Sequence, residues 1–374
     1  MTRKHVIGAV LLILIATVVF AVRISSEMRD FEVYWTGGVH AAAGEPLYSA
    51  DDGHYRYKYF PAFAVLAIPL SLIPLPAAKV VWFAASVVLL VLLIRLSVDL
   101  LPERRAPAVL LATSIVVVLG KFLGHELALG QANLLFAVLA VWAVVAMKTG
   151  RETLAGALIA LTIAVKPYGV ILLPWLIARK QRASIVAATI ALAVIVVLPV
   201  PWYGLGTIAL YRDWLTTVTE TTAPTLTSQD SVSFASMFAK WLSPGPLATA
   251  LATITSIGAV AMAGAVFKRR SEVSFPEALE ASVLLMLVPM LSPQGWDYVL
   301  LLGAPAVAML ANYRDRLPAA LNKTVVVAAL AMGLSIYDLM GRRAFGAFMQ
   351  AGAISLCASV MIATLYVMRV RKIA

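Results

Sequence analysis

A chain of 374 residues that is 61% hydrophobic and 13% charged is excluded from the soluble globular class, which runs closer to half apolar and a quarter charged. Its formal net charge of +11 would fit a nucleic-acid binder in a soluble protein, but here the Lys and Arg residues sit at the ends of apolar runs, so the charge is read as membrane orientation, with no nucleic acid as partner. The single cysteine, Cys357, excludes an intramolecular disulfide and a cysteine metal cluster.

Apolar runs occur at roughly 6–22, 60–74, 77–98, 107–122, 131–147, 153–165, 167–178, 183–200, 246–267, 278–291, 296–311, 324–340 and 345–368. They predict an all-α polytopic membrane protein, a single domain over residues 1–374. Run 6–22 follows Arg3 and Lys4, and Arg23 interrupts it before any small-residue cleavage site. It is therefore read as an uncleaved first span with a cytoplasmic N-terminus. Run 60–74 is short and holds Pro61, Pro69 and Pro74, which predicts a helix that dips into the membrane without crossing. If every other run crosses, about twelve spans result. The basic clusters at Arg3-Lys4, Arg95 with Arg104-Arg105, Lys148 with Arg151, Arg179 to Arg182, Lys268 to Arg270, Arg314 with Arg316, and Arg369 to Lys372 then share the cytoplasmic side. A count that fuses 153–178 and lets 60–74 cross leaves Arg95, Arg104, Arg105, Lys148 and Arg151 on the wrong side.

The favoured topology sends residues 23–76, Lys121 to Asn133, Lys166 to Gly169, the long loop 201–240, Ser292 to Asp297 and Gly341 to Arg343 to the outer side. That side then collects the unusual polar residues of the chain, which points to one outward-facing cavity between helices. Asp30 opens a predicted helix that places Asp30, Tyr34, Gly37 and Ala41 on one face. It can serve as a general base or simply cap that helix; Glu32 is the second candidate for the base. Lys166, isolated before Pro167, can snorkel from an apolar helix end or, facing outward, suit a phosphate as a point charge, and Arg342 and Arg343 break the positive-inside pattern in the same way. Gln131 and Asn133 open a span behind His125 and Glu126. Their amides can bond sugar hydroxyls or cap the helix. Trp296 and Tyr298 can belong to an interfacial aromatic belt or stack on a sugar, and Asp297 is a further candidate carboxylate. The 201–240 loop is rich in Thr, Trp and Tyr, with Gln229-Asp230-Ser231 as its most polar point, and is long enough to cover the cavity. No phosphate-binding loop, dinucleotide fingerprint, nucleophile elbow or HExxH is present. A secondary transporter or flippase shares the spans and the broken segment at Lys166-Pro167, but it should show paired interruptions in two related halves, and none is visible.

Asp30-Phe31 with Tyr34, then Ala43-Gly44-Glu45-Pro46-Leu47-Tyr48 and Tyr57 to Phe63, resembles the opening of glycosyltransferase family 87. Gly130-Gln131-Ala132-Asn133, Ala155-Gly156 and Lys166-Pro167 resemble its middle. Gln229-Asp230-Ser231 resembles its polar Asn-Gln-Ser element, and Leu291-Ser292-Pro293 with Trp296 its late signature. The resemblance implies a GT-C fold with interfacial helices in the first outer loop. It implies inverting transfer of a sugar, chiefly mannose, from a polyprenyl-phosphate donor to a lipid or glycolipid acceptor at the extracytoplasmic face of the plasma (inner) membrane. The donor is then a substrate, and no cofactor or metal is expected. Asp30 carries over as general base and Lys166 as a donor-phosphate contact, with Lys58, Arg342 and Arg343 as further phosphate candidates. Tyr34, His54, His125, Glu126, Gln131, Asn133, Gln229, Trp296 and Asp297 are candidates for sugar or acceptor contacts. The late signature commonly carries a His shortly after its Trp; here Asp297 and Tyr298 stand there instead.

Overall fold

Prolines set many of the helix starts. Pro61, Pro246 and Pro276 each occupy a first helical position, where the missing N–H costs nothing and the fixed φ is already helical. A computed structural model of the chain describes Val18, Phe20 and residues 24–49, 56–222, 225–270, 273–292 and 294–373. The predicted first span at 6–22 lies outside the described residues apart from Val18 and Phe20, and His54 lies outside them too.

The helices are α1 (Arg29–Ala43), α2 (Pro61–Ser71), α3 (Leu75–Asp99), α4 (Ala108–Leu129), α5 (Asn133–Lys148), α6 (Glu152–Val165), α7 (Leu172–Ala178) and α8 (Arg182–Val197). They continue as α9 (Thr207–Thr222), α10 (Phe234–Leu242), α11 (Pro246–Phe267), α12 (Pro276–Leu291), α13 (Ala304–Asn312), α14 (Ala319–Gly333), α15 (Tyr337–Gln350) and α16 (Ala353–Val370). Among the described residues there is no β-strand, only an isolated bridge between Ser231 and Trp296. Among the described residues, five helical stretches are long and apolar enough to cross a membrane: α3, α4, the α8–α9 stretch, α11 and α16. A sixth results if α14 and α15, bent by 103° at their junction, count as one span. The protein is thus an all-helical membrane protein. The eleven residues of α2 reach only about 16 Å, well short of a bilayer core.

α12 is apolar around its whole circumference and almost wholly buried, so the bundle is built around it. The 3₁₀ segment Asp297–Gly303 and α13 follow it into the same core. α8 and α11 carry Val186, Ile190, Val194, Ile254 and Ile257 on exposed faces, as helices against lipid do. At the N-terminal end of α12 a buried ion-pair network ties the helices together. Arg270 contacts Glu277 at 3.0 Å and Glu280 at 3.3 Å, Arg179 pairs with Glu277, and Arg369 lies 3.5 Å from Glu280.

Three sequence expectations are corrected here. The segment Lys121 to Asn133 is for the most part helix, not loop. α4 continues to Leu129, because nothing breaks it before Gly130, whose φ of 68° ends the helix. The 201–240 segment is mostly helical, as a turn at Val200–Tyr203 followed by α9 and α10. The run 345–368 is not one helix. α15 is amphipathic, α16 begins only after Gly352, and Arg342 and Arg343 lie along α15 beside a break at Gly341, not in a tight turn between two spans.

Candidate functional site

The site forms where the N-terminus of α1 meets the C-terminus of α4. The Met28 amide donates to the Ala128 carbonyl at 2.8 Å, and the Trp82 indole donates to the Gly130 carbonyl at 2.8 Å. Phe31 stacks on Trp82 at 5.4 Å between ring centroids. This joint turns the Asp30–Tyr34 face of α1 toward Gln131, so the helical spacing read from the sequence does bring both side chains to one place.

Gln131 is the hub, and it is buried. Its amide nitrogen donates to Asp30 Oδ2 at 2.6 Å and to the Tyr298 hydroxyl at 3.1 Å. Its oxygen accepts from Lys166 Nζ and from the Tyr34 hydroxyl, each at 2.9 Å. All four hydrogen-bonding positions of the amide are therefore used. The Tyr34 hydroxyl, its one proton given to Gln131, lies 3.0 Å from the Tyr59 hydroxyl and can accept from it, and the Lys166 ammonium stands 4.8 Å from the centre of the Tyr59 ring. Lys166 reaches this point because Pro167 forces it into an extended conformation, φ −145° and ψ 120°, which ends α6 and turns the chain into the 3₁₀ segment Pro167–Ile171. The result is a half-exposed carboxylate and a buried ammonium on opposite ends of one amide. Glu32, the alternative base, points elsewhere and is bound to Lys79 at 2.6 Å.

A second group lies on the far side of Tyr298. His125 Nδ1 lies 3.0 Å from Asp297 Oδ1, and Lys121 Nζ lies 3.3 Å from Asp297 Oδ2. The His125 ring meets Tyr298 edge-on at 5.2 Å. The Asp297 amide donates to the Asp230 carbonyl at 2.8 Å, and the Val232 amide donates to the Gly295 carbonyl at 2.6 Å. These two bonds pin the Gln229–Ser231 element to the late motif. Lys240 donates to the carbonyls of Gln229 and Ser231 at 3.0 and 2.7 Å. Burial pushes its ammonium down to about 8, against the pull of Asp230 and Asp297. Burial raises Asp230 above the ordinary carboxylate value, and the neighbouring Asp297 adds to that. Lys58 is likewise lowered by burial, with Asp30 opposing the shift.

Glu126 and Asn133 form a buried pair behind the hub rather than part of its surface. Asn133 donates to Glu126 Oε2 at 2.8 Å, the Leu134 amide donates to Oε1 at 2.9 Å, and the Tyr168 hydroxyl bonds Asn133 Oδ1. Glu126, not Asn133, is therefore what satisfies the start of α5. Trp296 lies nearly parallel to Tyr298 with centroids 6.5 Å apart. The Gln229 side chain is exposed. Arg342 and Arg343 are exposed on α15 and bond none of the Asp30 cluster. Lys121, Tyr59 and Lys240 join the two groups without having been singled out from the sequence as site residues, and Tyr298, read from the sequence only as a belt or sugar-stacking aromatic, also accepts from Gln131. Lys121 and His125 are four apart, which a helical reading of that stretch would have placed on one face. No three His, Cys, Asp or Glu side chains gather to hold a metal among the described residues.

An all-helical membrane fold with a carboxylate and an ammonium gathered at the end of a helix bundle defines the general class. Comparison with known proteins gives the particular one: the model of glycosyltransferase family 87 matches residues 57–293. The chain belongs to glycosyltransferase family 87 and is a membrane glycosyltransferase. The match spans Lys58, His125, Gln131 and Lys166, begins after Asp30 and ends before Trp296. No curated protein and no solved structure matches the chain.

Proposed function

We propose that the protein has the GT-C architecture and transfers a sugar, mannose first among the candidates, from a polyprenyl phosphate to a lipid or glycolipid acceptor. The reaction takes place at the extracytoplasmic face of the plasma membrane. Asp30 accepts the proton of the acceptor hydroxyl as that oxygen attacks the anomeric carbon. The bond from that carbon to the phosphate oxygen breaks on the opposite face, inverting the configuration, and polyprenyl phosphate leaves with the electron pair. Lys166 offsets the charge gathering on the phosphate, with Lys58 at the rim beside Asp30. Tyr34 and Gln131 hold Asp30 and Lys166 in register, and the Trp296–Tyr298 pair offers a flat face to a pyranose.

One observation carries this reading: Asp30 and Lys166 share the two ends of the Gln131 amide, so base and cation are presented together. The test is transfer of labelled mannose from polyprenyl phosphate to membrane lipid acceptors, by wild type and Asp30→Asn side by side. Loss of transfer of at least about 10³-fold is expected when the base is neutralised. Transfer by Asp30→Asn near the wild-type rate removes Asp30 from this role. A nucleotide sugar that serves where polyprenyl phosphates fail removes the donor assignment.

A further inference from the structure

A groove opens beside the N-terminal half of α4, away from Asp30. Roughly 22 Å of helix separates Ser114, on its wall, from the end of α4 beside Gln131. Val117 and Val118 of α4 form one side, and Val326 and Leu330 of α14 the other. The cavity measures about 230 Å³. That is below the about 300–1,000 Å³ of pockets for whole drug-sized ligands, and it suits a segment of hydrocarbon chain.

The rim is chemically different from the walls. Arg314 and Asn322 both line the groove. Asn322 Oδ1 is buried and has no hydrogen-bond donor. Arg314 is exposed, and no carboxylate pairs with it among the described residues. Its neighbour Asp315 is bound to Arg105 at 2.7 Å and so does not neutralise it. The Ser114 hydroxyl is turned back onto the Leu110 carbonyl and is not the missing donor. An apolar slot, a free guanidinium at its mouth and a buried acceptor lacking a donor are complementary to one kind of molecule.

We propose that this groove binds an anionic glycerophospholipid. One acyl chain lies between α4 and α14, the phosphate meets Arg314, and a headgroup hydroxyl donates to Asn322 Oδ1. A phosphatidylcholine has no hydroxyl to offer, and it brings its own ammonium toward Arg314. Arg316, exposed two residues beyond Arg314, favours the same sign of lipid.

The test uses the full-length protein and native mass spectrometry with phosphatidylglycerol and phosphatidylcholine of identical chains. Wild type is expected to retain one phosphatidylglycerol in preference to phosphatidylcholine. Arg314→Gln should lower that retention roughly tenfold, the size of one charge-assisted contact. Val326→Trp, which fills the slot, should lower retention of either lipid there. Equal retention of the two lipids by wild type overturns the proposal. So does retention unchanged in Arg314→Gln, a surface substitution that leaves the core intact. Disulfide cross-linking of Val326→Cys between two chains, with no lipid retained, would also overturn it and assign the groove to a second copy.

Discussion

Replacing Gln131 by Leu keeps the bulk and removes both ends of the amide. Two of the four lost bonds involve charges, those to Asp30 at 2.6 Å and to Lys166 at 2.9 Å. Such bonds are worth about 1.5–3 kcal/mol each, so about 3–6 kcal/mol of positioning is at stake before relaxation. Part returns if Asp30 and Lys166 close on each other directly, since Asp30 is half exposed. A net loss of about 3 kcal/mol corresponds to roughly 10²-fold in the rate constant. The assay is sugar transfer under saturating donor, with the thermal unfolding midpoint measured alongside. The loss should fall on kcat more than on KM, because the amide orients reacting groups without holding the lipid chain. Gln131→Glu gives a second readout. A new carboxylate against Asp30 disfavours ionisation of both, so the acidic limb of the pH–rate profile should move to higher pH. A Gln131→Leu protein that folds and transfers within twofold of wild type refutes the hub.

Other outcomes follow from neighbouring contacts. Gly130→Ala should cost about 2–5 kcal/mol of stability, since φ of 68° disfavours a side chain and a Cβ there would stand 2.7 Å from that of Phe31; chemical denaturation reads it. Because Phe31 sits next to Asp30, transfer by the folded fraction should fall as well. Glu32→Gln should cost about 1–3 kcal/mol by leaving Lys79 without its carboxylate, yet leave transfer per folded molecule within about twofold; a large loss of transfer would reinstate Glu32 as the base. Lys240 gives a pH signature. Its folded value is pushed down to about 8 from an unfolded value near 10.5, so between those limits the unfolded chain holds the extra proton and stability rises with pH. The unfolding midpoint of wild type should therefore rise from pH 8 to 10 relative to that of Lys240→Gln; parallel curves would disprove the assignment.

The sequence made the ends of the site legible and hid its middle. Asp30 and Lys166 stood out because an ionisable group beside an apolar run is costly and therefore rare. Tyr34 followed from helical spacing. Tyr59 does not stand out, and Tyr298 stands out only as a belt or sugar-stacking ring, because an aromatic near a membrane edge has an ordinary reason to be there; only the fold shows their hydroxyls turned inward. Lys121 and His125 read as loop because polar residues end the apolar run there. In the fold the helix continues through them, since lysine, histidine and glutamate are adequate helix formers and the first true breaker is Gly130. The same substitution of polarity for breaking misplaced Arg342 and Arg343. Charge there marks an amphipathic helix along the bundle, with Gly341 and Gly352 setting its breaks.

Two of the charged groupings among the described residues are built on opposite plans. At the N-terminal end of α12, Arg270 touches Glu277 and Glu280 directly, so the charges cancel one another and fasten helices. Such buried pairs bring little net stability, but each partner becomes costly to remove. At the other end, Asp30 and Lys166 are kept from pairing by an amide that satisfies each with the appropriate pole. A direct ion pair would have to be broken before a hydroxyl could reach the carboxylate or a phosphate the ammonium. The intervening Gln131 holds both ions in place and uncancelled, which is what the proposed transfer, with a proton to accept and a phosphate to release, would require.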